Sequence, residues 1–406
     1  MTNLPQGWEI KRLDDITEIQ IGKTPSRNNI DFFQGENIWL SIRDLKSKFV
    51  SFSSEKISNE AILKTNMKIV PKGTLLMSFK LTLGKTAFAG CDLYTNEAIA
   101  AIFIKDKNIN KYFLDYALKF TDLEKYVDNA VKGKTLNKQK LRQIEVSMPP
   151  LKEQERIVGI LDESFAKIDE SIKILEQDLL DLDELMQSAL QKAFNPLKDN
   201  AKGNYQLPQG WEWKSLGEIC YITDGTHKTP QYKENGIPFL SVKNISKGFF
   251  DLSDVKYISL EEHNKLIKRA KPKFGDILVC RIGTLGKAIK VCLEFEFSIF
   301  VSLGLLKPKI SIISDYLVYF LNSHFIEIWI NNNKVGGGTH AAKLNLSVLE
   351  KCPIAIPPLK EQEQIASYLD ELSLNIKALK ENYKTQIKDY EELKKSLLKK
   401  AFEGRL

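Results

Sequence analysis

Gly84-Lys85-Thr86 ends the way a phosphate-cradling loop ends, with a lysine for phosphate and a hydroxyl for magnesium. Such a loop needs G-x-x-x-x-G-K-[ST], yet its first position here is Phe79; the matching stretch further along has Arg281 there and closes on Ala288. Neither stretch can wrap a nucleotide. No G-x-S-x-G turn, H-E-x-x-H helix or glycine fingerprint for a dinucleotide or methyl donor is present, and no paired-carboxylate nuclease core stands out. The four histidines and five cysteines (Cys91, Cys220, Cys280, Cys292, Cys352) are scattered without C-x-x-C spacing, so neither a metal site nor a disulfide framework is expected. No catalytic residue is assigned, and the remaining chemistry is that of binding.

Two sets of polar residues could supply it. In the first half these are Lys23, Thr24, Ser26 and Arg27 after a glycine, Arg43 and Asp44 after a strand-like run, Lys80, Thr82 and Lys85 around a turn, and Lys132, Lys134 and Asn137. In the second they are His227, Lys228 and Gln231, then Lys243 and Asn244, then Arg281, Thr284 and Lys287, then Thr339 and His340 after three glycines. Lysine offers a point charge to a phosphate, whereas Arg, Asn and Gln can form paired hydrogen bonds with a base edge. The sets keep their positions and change their side chains, as one frame reading two different short DNA sequences would require.

The positions are comparable because the chain is duplicated. LPQGWEIKRLDDI (Leu4 to Ile16) answers LPQGWEWKSLGEI (Leu207 to Ile219), GTLLMSFKLTLGK answers GDILVCRIGTLGK, and PPLKEQERIVGILDE answers PPLKEQEQIASYLDE. Short apolar runs such as IWLSI, TLLMSF, AAIFI, IPFLSV and DILVCRI predict strands, with helices at YFLDYALKF and DYLVYFLNS. The fold class expected is α+β. Its segments are globular domains at 1–150 and 203–358, long helices at 151–195 and 359–406, and a linker at 196–202. Trp8, Trp39, Trp211 and Phe239 are expected in the cores.

After each PPLKEQ the apolar residues fall on a seven-residue repeat. The first seam is Leu161, Phe165, Ile168, Ile172, Leu175, Leu179 and Leu182; the second includes Leu369, Leu372, Ile376, Leu379, Tyr383 and Leu393, with Gln386 as a polar member. A stripe this narrow suits a partner helix, and the other copy supplies one in antiparallel sense with pseudo-twofold symmetry. Packing of each stripe on its own globular segment is the competing arrangement.

Net charge is +6 over residues 1–150, −6 over 151–195, +6 over 196–358 and +1 over 359–406, so basic blocks alternate with non-basic ones. Basic blocks suit a polyphosphate. No signal-peptide pattern opens the chain and no apolar run spans a bilayer, so the cytoplasm is the expected location.

The L-P-x-G-W openings, the PPLKEQ helix entries and the two-copy order together make the chain resemble the specificity subunits of type I restriction-modification systems. The resemblance covers nearly the full length and implies two target recognition domains, each reading one half of a split DNA sequence, with the two helices as a spacer. It implies a non-catalytic subunit that docks two methyltransferase subunits, which use S-adenosylmethionine to methylate adenine N6, and two restriction subunits, which use ATP and Mg²⁺. The family's base-contacting residues vary too much to be transferred, so the positions above rest on their chemistry. A coiled-coil adaptor that touches no nucleic acid would explain the helices but not the two basic blocks. A self-contained nuclease would reveal itself by metal-dependent cleavage.

Overall fold

The computed structural model describes residues 5–127, 136–194, 207–337 and 340–406, except for the side chains of His340 and Ala341. The expected linker at 196–202 lies outside them. The chain divides into unit 1, residues 1–174 with 385–406, and unit 2, residues 175–384.

Unit 1 holds β1 (Glu9–Arg12), β2 (Thr17–Ile21), β3 (Asn37–Leu40), β4 (Phe49–Val50), β5 (Glu55–Ile57), β6 (Leu75–Ser78), β7 (Thr86–Ala89), β8 (Tyr94–Thr95), β9 (Ile99–Ile104) and β10 (Glu145–Met148). Five of them form a sheet in the order β2-β9-β6-β7-β4, beside a three-stranded sheet β5-β3-β8 and a β1-β10 pair. The run Leu75–Met77 is apolar throughout because β6 is covered on both faces. Leu75 and Met77 enter one core with Phe88, Ile102 and Phe113, and Leu76 enters another with Ala87, Ile99 and Ala101. Side chains alternating at period two divide between the two faces.

Unit 2 repeats this plan with β11 (Glu212–Ser215), β12 (Cys220–Asp224), β13 (Ile237–Leu240), β14 (Lys256–Ile258), β15 (Ile277–Cys280), β16 (Ala288–Lys290), β17 (Ser298–Ile299), β18 (Leu303–Pro308), β19 (Val335–Gly337), β20 (His340–Lys343) and β21 (Pro353–Ile356). Its main sheet runs β12-β18-β15-β16, with smaller sheets β14-β13-β17, β11-β21 and β19-β20. Ile277 and Val279 face one core; Leu278 and Cys280 face the other. Trp8, Trp39, Trp211 and Phe239 are all buried. Burial pushes the thiols of Cys220, Cys280 and Cys352 up to about 12, so they stay neutral near pH 7.

The long helices span Leu151–Ala193 and Leu359–Phe402. Each begins on a buried glutamine of its PPLKEQ entry. Gln154 accepts from the Asn110 N–H (2.8 Å) and donates to the Asn108 and Pro149 carbonyls. Gln362 likewise accepts from the Ile313 N–H (2.9 Å) and donates to the Pro357 carbonyl. A tyrosine on an earlier helix then holds an aspartate about two turns beyond each glutamine: Tyr116 donates to Asp162 (2.5 Å) and Tyr319 to Asp370 (2.7 Å).

In unit 1, Ile157, Val158 and Leu161 of the first long helix share a core with Trp8, Phe113, Ala401 and Phe402. Phe402 stacks on Phe120 (4.9 Å) and lies edge-on to Trp8 (6.2 Å), while Lys394 pairs with Asp169. In unit 2, Ala189 and Leu190 share a core with Ala366 and Leu369, and Lys380 pairs with Asp183.

On the first helix Leu161, Ile168, Leu175 and Leu182 are buried, while Phe165, Ile172 and Leu179 are half-buried. On the second, Leu369 and Ile376 are buried and Leu372 and Tyr383 half-buried, but Leu379 (43% exposed) and Leu393 (44%) face outward. The predicted second seam is therefore one residue out at alternate positions. The less exposed positions run Ile376, Lys380, Tyr383, Ile387, Tyr390, Lys394 and Leu397. Lysine reads as polar in sequence, yet its long apolar stem covers a seam while its ammonium reaches an aspartate at the edge.

Candidate nucleic-acid interface

The residue types chosen from the sequence separate into those whose polar groups are engaged within their unit and those left exposed. In unit 1 the Lys23 ammonium donates to the carbonyls of Thr65 (2.8 Å) and Asn66 (3.0 Å), closing the C-terminal end of the helix Asn59–Thr65, and Thr24 donates to Glu97. Asp44 accepts from Ser41 N–H and Oγ–H (each 2.8 Å) and from Ser54, so it folds a 3-10 turn. Burial would raise its pKa; the hydrogen bonds from Ser54 and Ser41 hold it below the ordinary carboxylate range. Asn137 accepts from the Lys140 N–H (2.9 Å) as the cap of a short helix. Lys132 and Lys134 lie outside the described residues.

Arg27 and Arg43 both lean on Glu55. Arg27 makes two bonds to it (2.5 and 3.1 Å) with its guanidinium over Phe33, 4.3 Å from the ring centre, and Arg43 makes one (2.6 Å). The bond from Arg27 holds Glu55 below its usual range, against the effect of burial. Both guanidiniums remain more than half exposed, so their outer edges can still meet an anion.

Unit 2 assigns three of its candidates to structure. Asn244 is buried, accepts from the Ser241 N–H (2.9 Å) and donates to the Asp251 carbonyl (3.1 Å), the same turn-forming role as Asp44. The pattern S-x-x-[DN] in both copies is a capping signature that sequence could have supplied. Arg281 is corrected too: its side chain is 12% exposed, pairs with Asp224 and donates to the carbonyls of Leu344 (3.0 Å) and Val301 (3.1 Å). Those donors are committed inside the protein and cannot also read a base edge.

Asp224, 1% exposed, is further paired with Arg269 and with His227, whose Nε2 lies 3.0 Å away. Burial alone would raise the Asp224 pKa; the hydrogen bond from Arg269 and the charges around it hold it below the ordinary range. Arg281 reaches Asp224 across Gly304 of β18, where an added Cβ would stand 3.3 Å from the arginine Cδ. In unit 1 the same three places hold Phe79, Ile21 and Ala100, and Ile21 packs against the core that contains Phe79. An apolar pair in one copy has become an ion pair in the other.

The exposed set centres on equivalent turns. Residues 79–85 join β6 to β7, and residues 281–287 join β15 to β16. Ser78 N–H donates to Lys85 O (2.8 Å) and Gly84 N–H to Ser78 O (2.9 Å); Cys280 N–H donates to Lys287 O (2.9 Å) and Gly286 N–H to Cys280 O (2.8 Å). Gly84 and Gly286 take φ of 77° and 80°, a conformation that a side chain would strain. Thr82, Lys85 and Thr284 are exposed, and Lys80 and Lys287 half-exposed. Lys85 borders a cleft of about 690 Å³ with Lys46, which the sequence reading missed; the cleft's Lys48 and Lys119 are paired with Asp162 and Asp115. Ser26, Lys228, Gln231 and Lys243 are exposed as well, and among the described residues their side chains have no hydrogen-bond or ion-pair partner. Thr339 and the His340 side chain lie outside the described residues. Among the described residues no cluster of His, Cys, Asp and Glu could hold a metal ion, and no helix is long and apolar enough to cross a membrane.

One frame, presented twice with different exposed residues, is thus the main feature of the molecule. Residues 5–177 and 208–389 each match the type I restriction modification DNA specificity domain. The chain belongs to that family. It is 27% identical over 424 residues to the type I restriction enzyme MjaIX specificity subunit of Methanocaldococcus jannaschii, covering 99% of this chain and 94% of that one. With the EcoBI specificity subunit of Escherichia coli it shares 25% identity over 334 residues, covering 77% and 69% of the two. Among solved structures, a chain from work on complex assembly and conformational transition of the type I R-M system has the same fold, with a TM-score of 0.79 at 20% identity over the whole of both chains. The HsdS subunit from Thermoanaerobacter tengcongensis matches at 0.61 and 21%, covering 100% and 98%. This family member is a type I specificity subunit with two tandem α+β domains.

Proposed function

We propose that each unit reads one half of a split double-stranded DNA target, and that the two long helices pair antiparallel to fix the gap between the halves. The observation that carries this reading is the pair of equivalent turns, built on the same backbone bonds and sharing Thr82/Thr284 and Lys85/Lys287, but presenting Leu81 in one copy and Gly283 in the other. Lys85, Lys46, Lys243 and Lys287 supply phosphate contacts. Gln231, Ser26 and the outer edges of Arg27 and Arg43 are the groups offered to bases. Antiparallel pairing is supported by the pairs Asp169–Lys394 and Asp183–Lys380, which lie two heptads apart on each helix and step in opposite directions.

The chain supplies recognition and no reacting group. Two methyltransferase subunits, with S-adenosylmethionine for adenine-N6 methylation, and two restriction subunits, with ATP and Mg²⁺ for cleavage, dock on it in the cytoplasm. Insertion of one heptad into both helices tests the spacer role. Seven residues lengthen a helix by about 10 Å, so methylome sequencing should show both half-sequences unchanged and the gap longer by about three base pairs. Changed half-sequences with an unchanged gap would count against it.

A further inference from the structure

Leu81 stands at the tip of the β6–β7 turn with φ of 61° and is 76% exposed. Among the described residues only one other non-glycine residue, Asn66, has positive φ, and asparagine tolerates that conformation where leucine does not. The second copy shows the unstrained solution, since Gly283 occupies the same place with φ of 77°. Leu81 therefore gains neither backbone ease nor burial from its position. Its side chain is instead exposed in a turn whose Thr82 and Lys85 are exposed as well, an apolar residue in a polar, basic turn.

We propose that Leu81 is a specificity residue that packs against the C5-methyl group of a thymine in the half-site read by unit 1. This rests on the DNA-reading role proposed above. A turn joining two strands about 5 Å apart fits the major groove, about 12 Å wide, better than the minor groove, about 6 Å wide. Of the unmodified base edges in the major groove, only thymine offers a methyl group, so an isolated alkyl side chain there has one natural partner on unmodified DNA. Gly283 offers the second half-site no such contact. Backbone strain and exposure are tolerated because the contact is completed only on DNA.

The test begins with the purified full chain selecting duplexes from a random pool. Each thymine of the selected site is then replaced singly by deoxyuracil, which removes only the methyl group. One replacement, in one half-site, should weaken binding by the wild-type chain roughly fourfold, the worth of one buried methyl, and should leave Leu81→Gly unaffected. Leu81→Gly should melt no lower than wild type; Leu81→Asn carries the same comparison if it does. A selected site lacking thymine, or equal deoxyuracil penalties in wild type and variant, overturns the proposal while leaving DNA reading intact. So does loss of a DNA bend in Leu81→Gly with thymine replacement neutral, the mark of a wedge between base steps. A pool that never converges overturns both readings.

Discussion

Asp224 and Arg281 show at the scale of single residues how one site is solved twice. A buried ion pair carries a large desolvation cost, which its Coulomb attraction and extra hydrogen bonds roughly offset. Removing one partner is far worse than removing both. Arg281→Ala should cost about 3 kcal/mol in denaturant unfolding of unit 2, because Asp224 keeps Arg269 but loses its most buried partner. The double change Asp224→Ile with Arg281→Phe, copying Ile21 and Phe79, should recover most of that loss. It should also change the acid limb. The folded-state pKa of Asp224 is depressed, so its contribution is present above the unfolded carboxylate pKa, about 3.9, and is lost as pH falls through the lower folded value. Wild type should then lose stability more steeply than the double variant below about pH 4. None of this could be read from the sequence. Asp224 and Arg281 lie 57 residues apart, and only the strand order β12-β18-β15 brings them to either side of Gly304. Asp44 and Asn244 were more accessible, since a serine three residues earlier in each copy marks a cap.

At the scale of elements, the helices and their entries were legible because PPLKEQ and the seven-residue rhythm are both local patterns. Strands such as Leu75–Ser78 and Ile277–Cys280 were legible as apolar runs because both faces of the sheet are covered. The exact stripe of the second long helix was not. Leu379 and Leu393 sit beside lysines whose stems compete for the same seam, and hydropathy ranks the leucines first. Substitution separates the two registers. Leu393→Glu should change stability by no more than about 0.5 kcal/mol, whereas Ile387→Glu should cost about 2 kcal/mol by placing a carboxylate on the half-buried seam. Thermal unfolding that ranks them the other way would restore the register inferred from sequence.

At the scale of the whole molecule, the duplicated openings and helix entries reveal two domains, but unit 1 is not a single contiguous segment. Unit 1 takes residues 385–406 along with its N-terminal part, and Phe402 lies in one core with Trp8 and Phe113. Phe402→Ala should destabilise unit 1 by about 3–4 kcal/mol. Hydrogen exchange should then quicken in β1 and β10 while β11 and β21 keep their protection. Uniform quickening in both units would show that the two unfold as one.

The same packing sets a timetable for synthesis. A ribosome delivers Phe402 nearly four hundred residues after Trp8, an interval of roughly 20–80 s at about 5–20 residues per second. Until Phe402 arrives, Trp8 and, once made, Phe113 and Phe120 lack the ring that packs on them, whereas residues 175–384 of unit 2 are all made before it. A chain released before Phe402 is added therefore carries an open aromatic face that chaperones and proteases can recognise, so delivery of Phe402 is itself the step that closes the first domain.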